Sequence, residues 1–374
     1  MTVLAGHEPD RLKENTSRQS GFEILRLLAM VFVVGNHFGA HSGFEFLPSD
    51  ASANRLWIEF FEFLGYNSVN IFVLLTGYFR IQSRGFKTAK LIQFWLQLFF
   101  YSMGIYLVFV LAGWMPLSFG GIIRHALPVA SGRWWFASTY FVLTLLSPFL
   151  NMLLKAFSRK QFLVFLAVTG FCWCVMPTLT GTVFEGNYLL WFIFVYSLAA
   201  YLRLYGIRTR LSAGKLIALA ASCFVLAYLI IVLIDTLGAG HGPFGEMRYY
   251  FFSFQRFPMP FLSFFLFLGF SKLRIKPRPF LNAVSSASFA VYLVSEHTSV
   301  RYPMWLDLFR NREYIGDPLL ILRCLGEIAA IFIISILIEL ARTCLLERNY
   351  MPLVRRLAKS ADRRIESFEG EKKP

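Results

Sequence analysis

Long apolar windows leave this chain few folds to choose from. Stretches of about 19 or more mostly apolar residues, roughly the length that crosses the hydrocarbon core of a bilayer, recur along it. They fall at about 21 to 39, 57 to 79, 89 to 113, 134 to 154, 161 to 180, 187 to 202, 216 to 235, 250 to 271, 284 to 302 and 318 to 341. A backbone surrounded by lipid must satisfy its own hydrogen bonds, and a run of separate windows of this length does so as helices. The expected fold is all-α, a polytopic membrane bundle of about ten transmembrane helices. No connection between windows is long enough for a separate water-soluble domain, so residues 21 to 345 read as one membrane unit. Polar residues 1 to 20 and a basic tail, 346 to 374, flank it.

Charge placement then decides what the basic balance means. The net charge of +15 would suit a nucleic-acid partner if the cations formed one patch. Instead, 27 of the 37 Lys and Arg fall in alternate connections: the N-terminal segment, residues 80 to 90, 155 to 160, 203 to 215 and 272 to 278, and the tail from Arg342. That is the positive-inside bias, and it predicts both termini in the cytoplasm with no nucleic-acid partner. The first apolar segment carries Arg26 and lacks a small-residue cleavage site, so it is expected to stay as a span. The five cysteines lie in or beside the windows, and they suggest neither a disulfide framework nor a metal site.

Three ionisable residues in the first window, EILRLLAMVFVVGNHF, raise the question of chemistry. On a helix Arg26 and His37 lie about 20° apart in direction and about 16 Å apart along the axis, with Glu23 about 40° from the His37 direction. One stripe therefore carries all three, with Arg26 toward the inside and His37 toward the outside. Ionisable groups within a span cost a few kcal/mol and generally face a bundle interior or a watery cavity. A neutral imidazole is well suited to accept a proton from a hydroxyl. A plain structural reading also stands, in which Glu23 and Arg26 neutralise one another and His37 makes an interhelical hydrogen bond. His41, four residues on, gives a two-histidine metal spacing, but no third ligand is evident in the sequence, and no metal is expected.

These residues carry a resemblance. GFEILRLLAMVFVVGNHF resembles the first span of the acyltransferase 3 family, whose hallmark of an arginine, ten residues and a histidine is matched by Arg26 and His37, with Glu23 matching a typical acidic residue. SVNIFVLLTGYFRI (68 to 81) is similar to the family's second-span signature, with Thr76 in place of serine. WWFASTYFVLTLLSPFLN (134 to 151) and GNYLLWFIFVYSLAAYLRLY (186 to 205) look like its bacterial polysaccharide-modifying members. SSASFAVYLVSEH (285 to 297) departs from the pattern: Ser295 stands where many relatives carry histidine, and Glu296 and His297 follow.

The resemblance implies a membrane O-acyltransferase of the bacterial cytoplasmic membrane. It would move an acyl group, most often acetyl from acetyl-CoA, to a hydroxyl of an extracytoplasmic glycan or lipid-linked sugar. His37 and Glu23 are the expected catalytic residues. Arg26, with the basic loop residues Arg80, Arg84, Lys87 and Lys90, is expected to hold the acyl-CoA. Trp134, Trp135, Glu296 and His297 are candidates for the acceptor side, although a polar span end explains Glu296 and His297 equally. The competing reading is a transporter or flippase for a lipid-linked sugar, with Glu23, Arg26 and His37 as a relay.

Overall fold

The computed structural model describes residues 20–46, 52–83, 85–181, 188–206, 209–238, 250 and 252–370. Among them all regular structure is helical. In chain order the helices are α1 (Ser20–His41), α2 (Ala53–Arg80), α3 (Thr88–Leu111), α4 (Phe119–Ala126), α5 (Trp135–Ala156), α6 (Arg159–Gly170), α7 (Tyr188–Tyr205), α8 (Ala213–Gly238), α9 (Met259–Ser271), α10 (Pro279–Ala287), α11 (Phe289–Ser295), α12 (Leu320–Arg342) and α13 (Arg348–Gly370). A π-helical turn, Phe171–Val175, carries α6 into a last short piece, Met176–Thr180, so the two together have spanning length. Eight helical stretches among the described residues are long and apolar enough to cross a membrane, and two shorter apolar ones, Met259–Ser271 and Pro279–Ser295, accompany them. Each of the ten apolar windows thus meets a helix, and the chain is a polytopic helix bundle.

The centre of the bundle is α2. Of its spanning window 72% is buried, against 17% for the stretch that starts with α6, so α2 is enclosed by protein while α6 and α8 turn leucine, valine and isoleucine outward. Exposed Val164, Leu226, Leu229 and Leu233 form the kind of face that lipid tails cover. The closest-packed pair is α1 with α2. A small residue allows it: a Cβ on Gly65 would come within 2.2 Å of Asn36 Cβ, and likewise one on Gly77 would come within 2.3 Å of the Tyr196 carbonyl oxygen on α7, where α2 and α7 meet backbone to backbone. Polar side chains fix the register. Asn36 donates to the Glu62 carbonyl at 2.7 Å, and Asn70 donates to the Phe254 carbonyl at 2.7 Å while accepting from Trp191 Nε1 at 2.8 Å.

Two windows are broken where one helix was expected. In the window 250 to 271, residues 252–258 are not helical and a helix starts at Met259, because Pro258 and Pro260 cannot donate to a preceding turn and suit only a helix start. The window 284 to 302 is divided at Ser288, whose hydroxyl donates to the Ser285 carbonyl at 2.8 Å, and its helix stops at Ser295. Ending there leaves Glu296 at the cap, outside the regular helix, and this sets the direction of its side chain. Met351, Val354 and Ala358 bury one face of α13, which packs on α3, and Asp362 accepts from Thr88 at the start of α3.

Candidate active site

His37 and His41 are one turn apart on α1, so their rings share a face, with centroids 5.4 Å apart. Glu296 comes to them from the end of α11. Its Oε1 lies 3.2 Å from His37 Nδ1 and 3.2 Å from His41 Nε2, while its Oε2 is 3.2 Å from an Arg301 guanidinium nitrogen. Neither His37 Nδ1 nor Glu296 Oε1 is in hydrogen-bond alignment with a protein partner. The group faces a cavity of about 280 Å³ whose polar wall is His37, His41, Glu296, Arg301 and Asn36. The other wall is aromatic, with Tyr66, Phe72, Trp135, Phe136, Phe254 and Tyr292. Flat apolar rings opposite a few charged groups make a site that can stack a ring-shaped ligand and address its hydroxyls.

The other end of α1 carries a different arrangement. Arg26 lies 2.7 Å from Glu23 Oε2 and donates to Ser285 Oγ at 3.3 Å, and Ser285 also donates to Glu23. Glu23 and Ser285 are buried, but the Arg26 side chain is 29% exposed. It opens into a second cavity of about 210 Å³ lined also by Arg80, Thr76, Phe79, Leu75, Tyr140 and Phe72. Arg80 is held there by Ser147 Oγ at 3.1 Å, and Thr76 is bonded to the Tyr140 hydroxyl at 2.7 Å. Two guanidinium groups line this cavity, and no carboxylate among the described residues does so. Such a surface favours an anion. Phe72 lines both cavities, and among the described residues no other does.

Residues 19–340 match the family model for acyltransferase 3, described as an acyltransferase domain. The chain belongs to the acyltransferase 3 family. It is a membrane acyltransferase in the general sense, and the two cavities occupy the part of the chain that the family domain covers. Comparison with curated proteins and with solved structures gave no match.

Not every expected site residue arrives at these cavities. Glu23 pairs with Arg26, as its position on the stripe allows, and does not line the His37 cavity, so it does not reach the imidazole with which it was expected to act. Of the basic loop, Arg80 joins Arg26, and Arg84 lies outside the described residues. Lys87 precedes α3 and lines neither cavity. Lys90 faces a separate cavity of about 490 Å³ with Gln93, Gln97, Glu339, Arg342 and Glu347. There Arg342 is held between Glu339 and Glu347, at 2.8 and 2.5 Å.

On the acceptor side Trp135 and Glu296 line the His37 cavity, but Trp134 and His297 do not. The His297 ring is fully buried and packs against Trp134 at 5.6 Å and His125 at 5.7 Å. His125, in the connection between α3 and α5, stacks on Tyr106 at 4.2 Å, and burial holds it below the ordinary imidazole range. Ser295 is buried and donates to the Val291 carbonyl at 2.8 Å. Hence His297 does not take the place of the family's histidine; the acid next to Ser295 faces His37 instead. Glu296 also brings a third ligand-type group beside His37 and His41, which was not evident in the sequence. Arg301, Tyr292, Tyr66 and Phe254 escaped the sequence reading, and of these only Arg301, an ionisable residue at a span end, gave any signal.

Proposed function

We propose that this protein is an O-acyltransferase of the bacterial cytoplasmic membrane, with acyl-CoA, most simply acetyl-CoA, as donor. The acceptor is a hydroxyl on an extracytoplasmic glycan or lipid-linked sugar. The observation that carries this reading is the pair of cavities on one face of α1, a cationic one at Arg26 and an imidazole-carboxylate one at His37, with Phe72 as their common wall. Arg26 and Arg80 suit the phosphates of CoA, because planar guanidinium groups bind phosphate oxygens through paired charge-assisted hydrogen bonds. Glu23 and Ser285 act as positioning residues for Arg26.

In this scheme the thin pantetheine arm runs along the stripe and brings the thioester past Phe72. Glu296, 3.2 Å from the Nδ1 side of His37, stabilises the charge that forms on the ring as Nε2 takes the acceptor's proton. The hydroxyl oxygen attacks the thioester carbon, the carbon–sulfur bond breaks, and the CoA thiolate leaves with the proton returned from the imidazolium. An acyl-imidazole formed first on His37 would use the same nitrogen. The aromatic wall suits the apolar face of a sugar ring. Purified protein given acetyl-CoA and the glycan of its source cell should release CoA thiol only when both are present. Release that does not depend on the glycan, or none with any hydroxyl acceptor, would set the reading aside.

A further inference from the structure

We propose that His37, His41 and Glu296 form a binding site for a tetrahedral transition-metal ion, zinc(II) in particular, and that occupancy of this site shuts off proton transfer at His37. Three features of the group point to a metal. First, the ligand types and their spacing are suitable: two imidazoles one helical turn apart on one face and a carboxylate brought in from another element make a common zinc set. Second, the spacing of the atoms fits. A tetrahedral ion about 2.0 to 2.1 Å from each ligand holds its ligand atoms about 3.3 Å apart, and both imidazole nitrogens are 3.2 Å from Glu296 Oε1. All three atoms lie within 4.8 Å of one another, so a modest turn of the two rings completes the geometry.

Third, the facing atoms converge without bonding to each other. His37 Nδ1 and Glu296 Oε1 are both buried, and neither is in hydrogen-bond alignment with any protein group. Glu296 is only 9% exposed, so a carboxylate oxygen and an imidazole nitrogen, both ligand-type atoms, meet there 3.2 Å apart. Arg301 pairs with the opposite oxygen, Oε2, at 3.2 Å. It steadies the carboxylate as outer partners of metal ligands do and leaves Oε1 to the ion. The fourth position opens into the cavity, as in zinc sites that keep one exchangeable place.

The consequence for turnover follows from the two ring nitrogens. A neutral imidazole carries one proton. When Nδ1 binds a metal, that proton sits on Nε2, which then has no lone pair with which to accept another. Metal at Nδ1 and general-base action at Nε2 therefore exclude each other. This inhibitory half rests on the role proposed for His37, whereas metal binding does not.

The test uses untagged, metal-free protein in detergent and a cobalt(II) titration read by the visible absorption of tetrahedral cobalt. Wild type should saturate at one equivalent, lack the charge-transfer absorption of thiolate ligands, and give up cobalt to zinc. His41→Ala and Glu296→Gln should each bind at least about tenfold more weakly, the loss expected when a site falls below three ligands. His41→Asn and melting temperatures on every variant separate lost binding from lost folding. Wild-type affinity in all three variants, or no tetrahedral cobalt in wild type, overturns the site. Zinc should also suppress CoA-thiol release, and a chelator should restore it. Zinc bound at the site with undiminished transfer overturns the inhibitory half. Absence of acyl transfer in metal-free protein would count against the proposed function and leave the cobalt result standing.

Discussion

Arg26 and His37 stand on one face of α1 but open into different cavities, and Phe72 lines both of them. The donor's charged end and the reacting hydroxyl would thus be kept apart by about three helical turns, while the thioester has a single side chain to pass. Phe136 braces that side chain, with its ring 5.9 Å away.

If the pantetheine arm passes Phe72, the size of this residue sets the rate of transfer without touching the phosphates. Phe72→Trp should lower kcat by about tenfold, equivalent to about 1.4 kcal/mol, with acetyl-CoA affinity within about twofold of wild type. Phe72→Ala should keep turnover and raise acceptor-independent hydrolysis of acetyl-CoA, since water would then have the same way through. Equal turnover in the tryptophan variant and wild type would mean that the donor does not cross at this point.

At the His37 cavity the imidazole and its carboxylate should differ in weight. His37→Ala is expected to lose about 100-fold or more in kcat, the usual cost of a missing general base. Glu296→Gln keeps the shape and one acceptor oxygen but removes the charge that would stabilise the imidazolium. It should lose about 10- to 100-fold in kcat with little change in acceptor KM. Trp134→Phe and His297→Gln, whose side chains are outside the cavity, should cost stability before turnover. Comparable losses of kcat in the Glu296 and His297 variants would remove the assignment of Glu296.

How much of this was legible beforehand depended on the distance over which each feature is encoded. The Arg26 and His37 stripe needs only helical periodicity, which is local, and it was visible in the sequence. Glu296 was visible only as a polar residue at a span end. Its approach to His37 depends on the break at Ser288 and the early stop at Ser295, which depend on serine hydroxyls bonding to the backbone rather than on hydropathy. The cations Arg80, Lys87 and Lys90 looked equivalent in one basic loop. The end of α2 and the start of α3 at Thr88 send them to different places. In the basic tail the charges hide an apolar stripe of helical spacing, Met351, Val354 and Ala358, which packs on α3.

Orientation can be tested at two glycines whose replacement disturbs nothing. A Cβ on Gly120 would come no nearer than 3.8 Å to another side chain, and one on Gly214 meets nothing within 4 Å. With the exposed Cys344 replaced by serine, Gly120→Cys should react with a membrane-impermeant thiol reagent in intact cells. Gly214→Cys should react only after permeabilisation. The reverse pattern would place the cationic cavity outside and exclude cytoplasmic acyl-CoA as donor.

The role of Arg26 is decided by separating affinity from stability. Its guanidinium pairs with Glu23 at 2.7 Å and touches Ser285, so a structural role alone would account for its presence in the span. A structural pair makes a definite forecast. Arg26→Ala removes the cation from a buried carboxylate and should cost about 1 to 3 kcal/mol, toward the low end because the arginine is partly exposed. Adding Glu23→Gln should restore the melting temperature, since the charge needing compensation is gone. A donor role forecasts something further: acetyl-CoA affinity should fall about tenfold in Arg26→Lys, which keeps the charge but loses the planar fork. It should fall more in Arg26→Ala, and the Glu23→Gln change should not restore it. Arg80→Ala, on the opposite wall of the same cavity, should weaken acetyl-CoA in the same way with acceptor KM unchanged. Calorimetric affinity and melting temperature measured on wild type, Arg26→Lys, Arg26→Ala, the double variant and Arg80→Ala therefore distinguish the two. A double variant that regains stability while still binding acetyl-CoA poorly identifies Arg26 as a donor ligand. One that regains both, or single variants that bind acetyl-CoA as wild type does, reduces Arg26 to a partner for Glu23.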